Sequence, residues 1–555
     1  MHCHAMSHIT TATPPPSPPT GDPAPVLLAQ DGGVLSGVED AINSVFAPIE
    51  SFTSSIIFAE ITVFGAAFPV IVAWLVIAAA VFTAYFGLVQ LGKFRLAIQI
   101  ARGKYTRNDE PGEITHFQAL SSALSGTVGL GNIAGVGVAV TVGGAGATFW
   151  MILAGFLGMC TKFVECTLGV KYRKIDADGT VHGGPMYYLR QGIAERFPNG
   201  FGRSLGKVLA IGASVMLLFF ALAGGNMFQA NQTFAQLRSV TGGEDGLLGG
   251  GGAAFIFGLL LAGLVALVIV GGIKSIGKVT SRLVPTMGVI YVLACLVVIL
   301  VNVNEVPRAF GEIVSGAFAP EGVAGGALGV MIIGFQRAAF SNEAGVGSAP
   351  IAHAAVRTRH PVTEGLVALL EPFVDTVIIC TMTALTIVIA STDFWHDAKA
   401  AVAAGADSPE GVTVTSNAFE TVLPWFPYVL MVAVALFAIS TMITWSYYGE
   451  KAWNHLFGAG RVSSVVYRAV YCALIVCGTV LTLGPVLNFA DAVLFGVAFF
   501  NILGLYLLAP IVKRELRDFL GKLKSGEIRP VDQDTSGSSA GSPPEPSDRE
   551  KDGVG

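Results

Sequence analysis

The chain has 555 residues, 53% hydrophobic and only 13% charged, with a mean hydropathy of +0.65, 68 glycines and a net charge of −5. Soluble domains carry about 25% charged residues, so a multidomain soluble protein is excluded, and nothing in the charge pattern points to a nucleic-acid partner. Apolar runs of about 20 residues recur between 66 and 512. They are long enough to cross ~30 Å of hydrocarbon as helices, and they are continuous, unlike the short alternating segments of a β-barrel.

In chain order, residues 1–60 open with MHCHAMSH and the Pro/Ser/Thr-rich stretch ATPPPSPPTGDPAP. One Cys and three His without a second cluster do not make a metal centre, and such a composition cannot bury a core, so a disordered tail is expected. The tail has no basic residue and no apolar h-region, and does not read as a signal peptide. Residues 36–58 keep two early acids and an internal Pro, and read as a short amphipathic helix on the membrane surface. Spans are predicted at 66–92, 117–143, 146–170, 208–236, 253–271, 284–302, 326–356, 364–390, 426–448, 468–484 and 489–512, eleven in all. A Ser/Gly/acid-rich tail, 513–555, closes the chain and also reads as disordered. Six of the seven cysteines (Cys160, Cys166, Cys295, Cys380, Cys472, Cys477) lie within apolar runs, where they act as small hydrophobes rather than a disulfide framework.

Basic residues orient the spans. Segments 93–116, 171–207, 272–284, 357–363, 449–468 and 512–555 hold 28 Lys and Arg, against three (Arg238, Arg308, Lys399) in the alternate loops. The N-terminus is therefore expected outside and the C-terminus in the cytoplasm of a multi-pass protein of a bacterial or archaeal plasma (inner) membrane.

GNIAGVG (131–137) is rewritten as SNEAGVG (341–347), with Asn132/Asn342, Ala134/Ala344, Gly135/Gly345, Val136/Val346 and Gly137/Gly347 at one offset. The same offset lays FVECT (163–167) on FVDTV (373–377), pairing Glu165 with Asp375. Five spans separate the copies, so they cross the membrane in opposite directions. That predicts inverted halves, 116–302 and 325–512, with 61–95 an additional helix, and Gly-interrupted helices at matching positions mark the site of a secondary transporter. SGTVGLGNIAGVG (125–137) carries five glycines, each costing about 1 kcal/mol of helix propensity. A helix broken there frees N–H and C=O groups that must be satisfied by protein, water or ligand. Such a site suits a zwitterionic amino acid with a cation.

ALSGTVGLGNIAGVGVAVTVGGAGATFW (123–150), GGPMYYL (183–189), FSNEAGVGSAPIAHAA (340–355) and EPFVDTVIICTMTAL (371–385) resemble the alanine/glycine:cation symporter family, also called sodium:alanine symporters, over roughly residues 60–515. The resemblance implies an all-α fold like that of the bacterial sodium-coupled leucine transporter, a 5+5 inverted repeat with one extra N-terminal helix. VGLGN (128–132) also resembles the broken first core helix of the neurotransmitter:sodium symporters. By that likeness the carbonyls of Ser125 and Val128 and the hydroxyls of Ser440 and Thr441 would hold sodium.

Asn132 and Asn342 flank the breaks, and an amide there is costly unless paired. With Thr127, Gly129, Gly131, Ser341 and Thr441 they would cradle the substrate, while Phe228, Phe340 and Trp445, one turn after Thr441, would close a small apolar pocket. Glu343, an acid beside a helix break, marks function by default. Arg337 would line the external vestibule or pair with an acid, and Asp375 would serve gating or span packing. Lys162 and Glu165 form an i,i+3 pair, read as a snorkelling anchor.

GGAGAT (143–148) lies at a hairpin rather than after a strand, and no enzyme motif has its required context. The expected function is sodium-coupled import of alanine and glycine by alternating access, with sodium as coupling ion and no other cofactor. The rivals are a proton-coupled transporter of the same fold, with Glu343 as carrier, and an ion channel. Stoichiometry, stereochemical preference and oligomeric state stay open.

Overall fold

In the computed structural model the described residues are 48–531, apart from 64–65, 108, 251, 270–271 and 319–325. The N-terminal tail with MHCHAMSH, the first part of the expected interfacial helix, and the C-terminal tail beyond 531 lie outside them. The architecture is mostly helical. Among the described residues, Ala147–Lys171, Gly200–Val240, Gly272–Val301, Pro361–Ala390, Phe426–Phe457, Arg461–Val480 and Leu483–Ser525 are long and apolar enough to cross a membrane. His116–Thr127 with Leu130–Val142 makes an eighth if the pair, bent by 59°, is one span. Val70–Tyr85 and Ala253–Ile269 are shorter apolar helices of 16 and 17 residues.

Several boundaries differ from the sequence expectation. The first apolar run enters through an antiparallel hairpin, Glu60–Val63 with Ala66–Pro69, so its helix starts only at Val70. That helix stops at Tyr85, where Gly87 and Leu88 turn to positive φ. A second hairpin, Lys174–Ile175 with Val181–His182, joins two helices on the basic side. Antiparallel pairing satisfies backbone groups in a tight connection, so the fold is not purely α. Short helices occupy loops that the sequence left unassigned, among them Pro185–Arg196, Val306–Phe318 and Asp393–Ala403.

Helix Ala147–Lys171 runs through the middle, packed against Val70–Tyr85, Gly326–Asn342 and Pro361–Ala368. Small residues permit this. Gly158 faces the methyl group of Ala344 so closely that an added Cβ would lie 2.9 Å from it, the close backbone approach on which membrane helix packing relies. Gly272–Val301 and Arg461–Val480 bury far less of their surface and form the outer wall. The core so built surrounds the two breaks.

Candidate functional site at two broken helices

Helix His116–Thr127 begins with a capping box, in which Thr115 accepts from the Gln118 N–H and the Gln118 side chain accepts from the Thr115 N–H. It ends at Val128, whose ψ of 82° leaves the helical region. Leu130–Asn132 forms one tight turn and Ala134–Val142 resumes. The first amides that the break frees find oxygens. Gly129 N–H donates to Thr127 O (2.8 Å) and to Asn132 Oδ1 (2.9 Å), and Leu130 N–H donates to Gln229 Oε1 (3.0 Å). A Cβ at Gly129 would lie 2.5 Å from Thr441 Oγ1 and 3.1 Å from Gln229 Oε1. Only glycine fits there.

The second break follows Asn342. Glu343 adopts φ 55°, a left-handed conformation that costs a non-glycine residue about 1–2 kcal/mol; Gly345 and Gly347 share the positive φ and Ala349–His353 resumes the helix. The repeated phrase therefore differs between copies: AGV of AGVG is helical at 134–136 and unwound at 344–346. The amides nonetheless act alike. Asn132 Oδ1 accepts from Gly129 N–H and Asn342 Oδ1 from Ala344 N–H (3.0 Å), while both NH₂ groups reach across to neighbouring residues, Asp375 and Thr376.

Asp375 ties the two breaks together. It is wholly buried and accepts from Asn132 Nδ2 (2.7 Å), Ser341 Oγ (2.6 Å) and Thr376 Oγ1 (2.8 Å). It sits in a π-helical stretch, Phe373–Cys380, a local widening often found where a helix carries function. A second such turn, Ala223–Met227, lies beside Trp445, and an added Cβ on its Gly225 would enter the indole ring at 2.3 Å.

Helix Phe426–Phe457 supplies the third wall. Thr441 Oγ1 donates to Ser125 O (3.1 Å), Ser125 Oγ donates to Ser440 O (2.8 Å), and Thr444 Oγ1 donates to Ser125 Oγ (3.0 Å). Ser440 Oγ turns instead to its own helix, donating to Phe437 O (2.9 Å). The structure thus joins Thr441 to Ser125 and faces the Ser440 hydroxyl elsewhere. Thr127 Oγ1 likewise bonds back to its own helix, and Val128 N–H to Leu124 O (2.7 Å). Trp445 Nε1 donates to Gly126 O and to Glu343 Oε1, both at 3.2 Å, so one indole spans both breaks. Glu343 Oε2 accepts from Ser348 Oγ (2.5 Å).

The aromatic candidates meet. Phe340 lies 5.1 Å from Phe228 and 6.0 Å from Phe220, with Phe220 4.7 Å from Trp445, between ring centroids. Gly131 abuts the Phe340 ring. Arg337 pairs with Asp491 and stands over Phe340, 5.5 Å from its centroid. The acid partner, Asp491, the bridging Gln229 and the wall residue Phe220 were not expected. Gln229 had a sequence signal, the polar run FQANQTF inside an apolar span. Lys162 and Glu165 are not a snorkelling pair. Both are wholly buried; Lys162 meets Glu371 at 3.2 Å, and Glu165 accepts from Asn501 Nδ2 at 2.6 Å. Helix Ala147–Lys171 is central, so neither side chain can reach a headgroup region.

The amino-acid carrier protein AlsT of Bacillus subtilis is 32% identical over 447 residues, covering 80% of this chain and 88% of that protein. A crystal structure of MhsT in complex with L-phenylalanine aligns over 72% of this chain and 89% of that one, at 17% identity and a TM-score of 0.48. The sodium/alanine symporter AgcS of Methanococcus maripaludis is 38% identical over 434 residues, covering 78% of this chain and 90% of that protein. The sequence profile of the sodium:alanine symporter family matches residues 51–533, a range that holds both breaks, Asp375 and Thr441; the chain belongs to that family, and is a multi-pass membrane transporter.

Proposed function

We propose that the chain imports small neutral amino acids, alanine and glycine, coupled to sodium and by alternating access. The reading takes the eleven helical segments as spans of a leucine-transporter-like 5+5 inverted repeat (116–302 and 325–512) behind an extra helix, with the N-terminus outside the plasma membrane and the C-terminus in the cytoplasm. The observation that carries it is the junction of Thr441 Oγ1 with Ser125 O at the broken end of His116–Thr127. A helix C-terminus and a neutral hydroxyl offer the hard oxygen ligands and partial negative charge that suit a monovalent cation. Ser125, Val128, Thr441 and, after rotation of its hydroxyl, Ser440 would hold it. The substrate would lie between Asn132, Ser341, Asn342 and the breaks, with Phe228, Phe340 and Trp445 limiting its side chain. The sodium/alanine name of AgcS supports the same pairing of ion and substrate.

Energetically, a tenfold sodium gradient supplies about 1.4 kcal/mol and 100 mV adds about 2.3 per charge. One sodium per substrate then sustains accumulation of roughly 500-fold. Competition between labelled alanine and a panel of unlabelled amino acids, in proteoliposomes with an inward sodium gradient, tests the substrate. Glycine and alanine should compete best and leucine poorly. Equal competition by leucine would remove the small-pocket reading. Accumulation above the external level separates a carrier from a channel, which cannot concentrate its substrate.

A second reading, proton coupling, rests on Glu343, buried and held by Ser348 and Trp445 between the breaks. It predicts uptake without sodium.

A further inference from the structure

Away from the two breaks, five ionisable side chains form an unbroken buried line. His116 Nδ1 meets Glu364 Oε1, Glu364 Oε2 meets His353 Nδ1, His353 Nε2 meets Glu371 Oε1 at 2.5 Å, and Glu371 Oε2 meets Lys162 Nζ at 3.2 Å. All five are at most 1% exposed. They come from four elements: the start of His116–Thr127, the short helix Ala349–His353, the run Pro361–Ala390, and Ala147–Lys171. None belongs to the proposed sodium or substrate shells.

Counting hydrogens shows what the line holds. A neutral imidazole has one N–H and one lone pair. His353 sets both ring nitrogens against carboxylate oxygens, and each contact needs a hydrogen between its atoms. His353 is therefore an imidazolium, or one of its two carboxyls is protonated. With that proton, and with His116 neutral, the line is electrically balanced: one imidazolium and one ammonium against two carboxylates. Without it, a net negative charge is left on wholly buried side chains, which is costly. Cys166, His353 and Glu371 also bring ligand atoms within 4.8 Å of one another. A metal ion is disfavoured there, because both His353 nitrogens are taken and the Lys162 ammonium already neutralises Glu371.

The line ends just beneath a surface cavity. His116 borders a cavity of about 450 Å³ between Ala101–Thr106 and Thr115–Phe117, and its Nε2 has no hydrogen-bond partner. Glu110 and Arg173 face this end. Glu165, Glu343 and Cys166 face Lys162, and Tyr448 faces Glu371.

We infer that His353, between Glu364 and Glu371, is a proton-binding site that exchanges with the cytoplasm through Glu364 and His116. A proton enters at His116 Nε2 as the Nδ1 hydrogen passes to the Glu364 carboxylate, and the carboxylic acid so formed delivers its proton to the open lone pair of His353 Nδ1, after which neutral His116 returns to its Nδ1–H tautomer; one proton is gained and no bond between heavy atoms changes. The bound proton ties Ala349–His353 to Pro361–Ala390, whose Glu364 also holds His116. Losing it loosens the resumed half of the second broken helix. High internal pH therefore favours opening toward the cytoplasm and speeds import.

This inference rests on the proposed orientation, and the test keeps the two apart. Initial alanine uptake is measured in proteoliposomes at fixed external pH and sodium, with internal pH varied from about 6 to about 9, the range in which imidazole titrates in proteins. The wild type should gain at least about threefold, with the slope of one proton. His353→Gln and His116→Gln should flatten the profile. His116→Gln, at the end of the line with one contact, serves if the buried variant does not fold. A wild-type profile flat against internal pH and, in a second series at fixed internal pH, flat against external pH as well, or an unchanged slope in His116→Gln, overturns the proposal. Dependence on external pH alone, lost in both variants, supports the site and reverses the orientation.

Discussion

Trp445 does more than wall a pocket. Its indole N–H bridges Gly126 O and Glu343 Oε1 while its ring rests on Gly225. Trp445→Ala should widen the substrate range toward longer side chains and weaken alanine uptake; truncating a buried Trp costs about 3–5 kcal/mol, so a fall in thermal stability should accompany it. Wild-type selectivity in a competition assay of this variant would leave Trp445 a packing residue alone. Asp375 makes a sharper case. It accepts three hydrogen bonds from donors on both sides of the site, and Asp375→Asn sets an NH₂ against one or more of them. An unsatisfied buried donor costs about 1–3 kcal/mol, so the variant should lower the unfolding temperature by several degrees and abolish uptake. Normal uptake by Asp375→Asn would show that the tie between the breaks is dispensable. The Asn pair and Glu343 were legible in the sequence because polar groups beside glycines stand out in apolar text, whereas Thr441 came only through the family resemblance. Asp491, Glu364, Glu371 and His353 were not, because their significance lies in partners far along the chain; His116 meets Glu364 across 248 positions.

At the scale of the helix, apolar length located the long helices, seven of which, or eight with the bent pair, among the described residues can cross a membrane, whereas the form of each break was not readable. The first break unwinds before Asn132 and the second after Asn342, although the surrounding letters nearly match. Ile133 in one copy is Glu343 in the other, and the carboxylate, held by Ser348 and Trp445, accompanies the positive φ. Hairpin Glu60–Val63/Ala66–Pro69 escaped notice because its second strand, AAFP, is as apolar as the helix it precedes. Gly129→Ala tests the first break as an element. Its Cβ would crowd Thr441 Oγ1 and Gln229 Oε1, so helix Phe426–Phe457 must shift away from Ser125. Uptake should fall at least about tenfold, as overpacking of 1–3 kcal/mol implies, while Gly200→Ala, with open space around the added methyl, should be neutral. A functional Gly129→Ala protein would show that the close approach is not required.

Over the whole molecule, the proposed orientation rests on the distribution of basic residues, and Arg173, donating to four carbonyls, of Pro111, Ala354, Val356 and Thr358, joins parts of three of the basic segments. A membrane-impermeant maleimide should label Ala404→Cys from outside in intact cells and Asp178→Cys only after permeabilisation, both in a background without Cys3. Labelling of both from one side would overturn the alternation. The central claim is sodium coupling at the junction of Ser125 and Thr441, and the most direct measurement is alanine uptake against external sodium, at matched pH, by the wild type and Thr441→Ala. The wild type should concentrate alanine and lose uptake when choline replaces sodium. Thr441→Ala should raise the half-saturating sodium concentration about tenfold, as expected for losing one oxygen that faces a charge, and alanine affinity should suffer mainly at low sodium, because two ligands that favour each other share one coupling free energy. Uptake in sodium-free buffer, driven by an inward proton gradient, abolished by Glu343→Gln and indifferent to Thr441→Ala, would contradict the account.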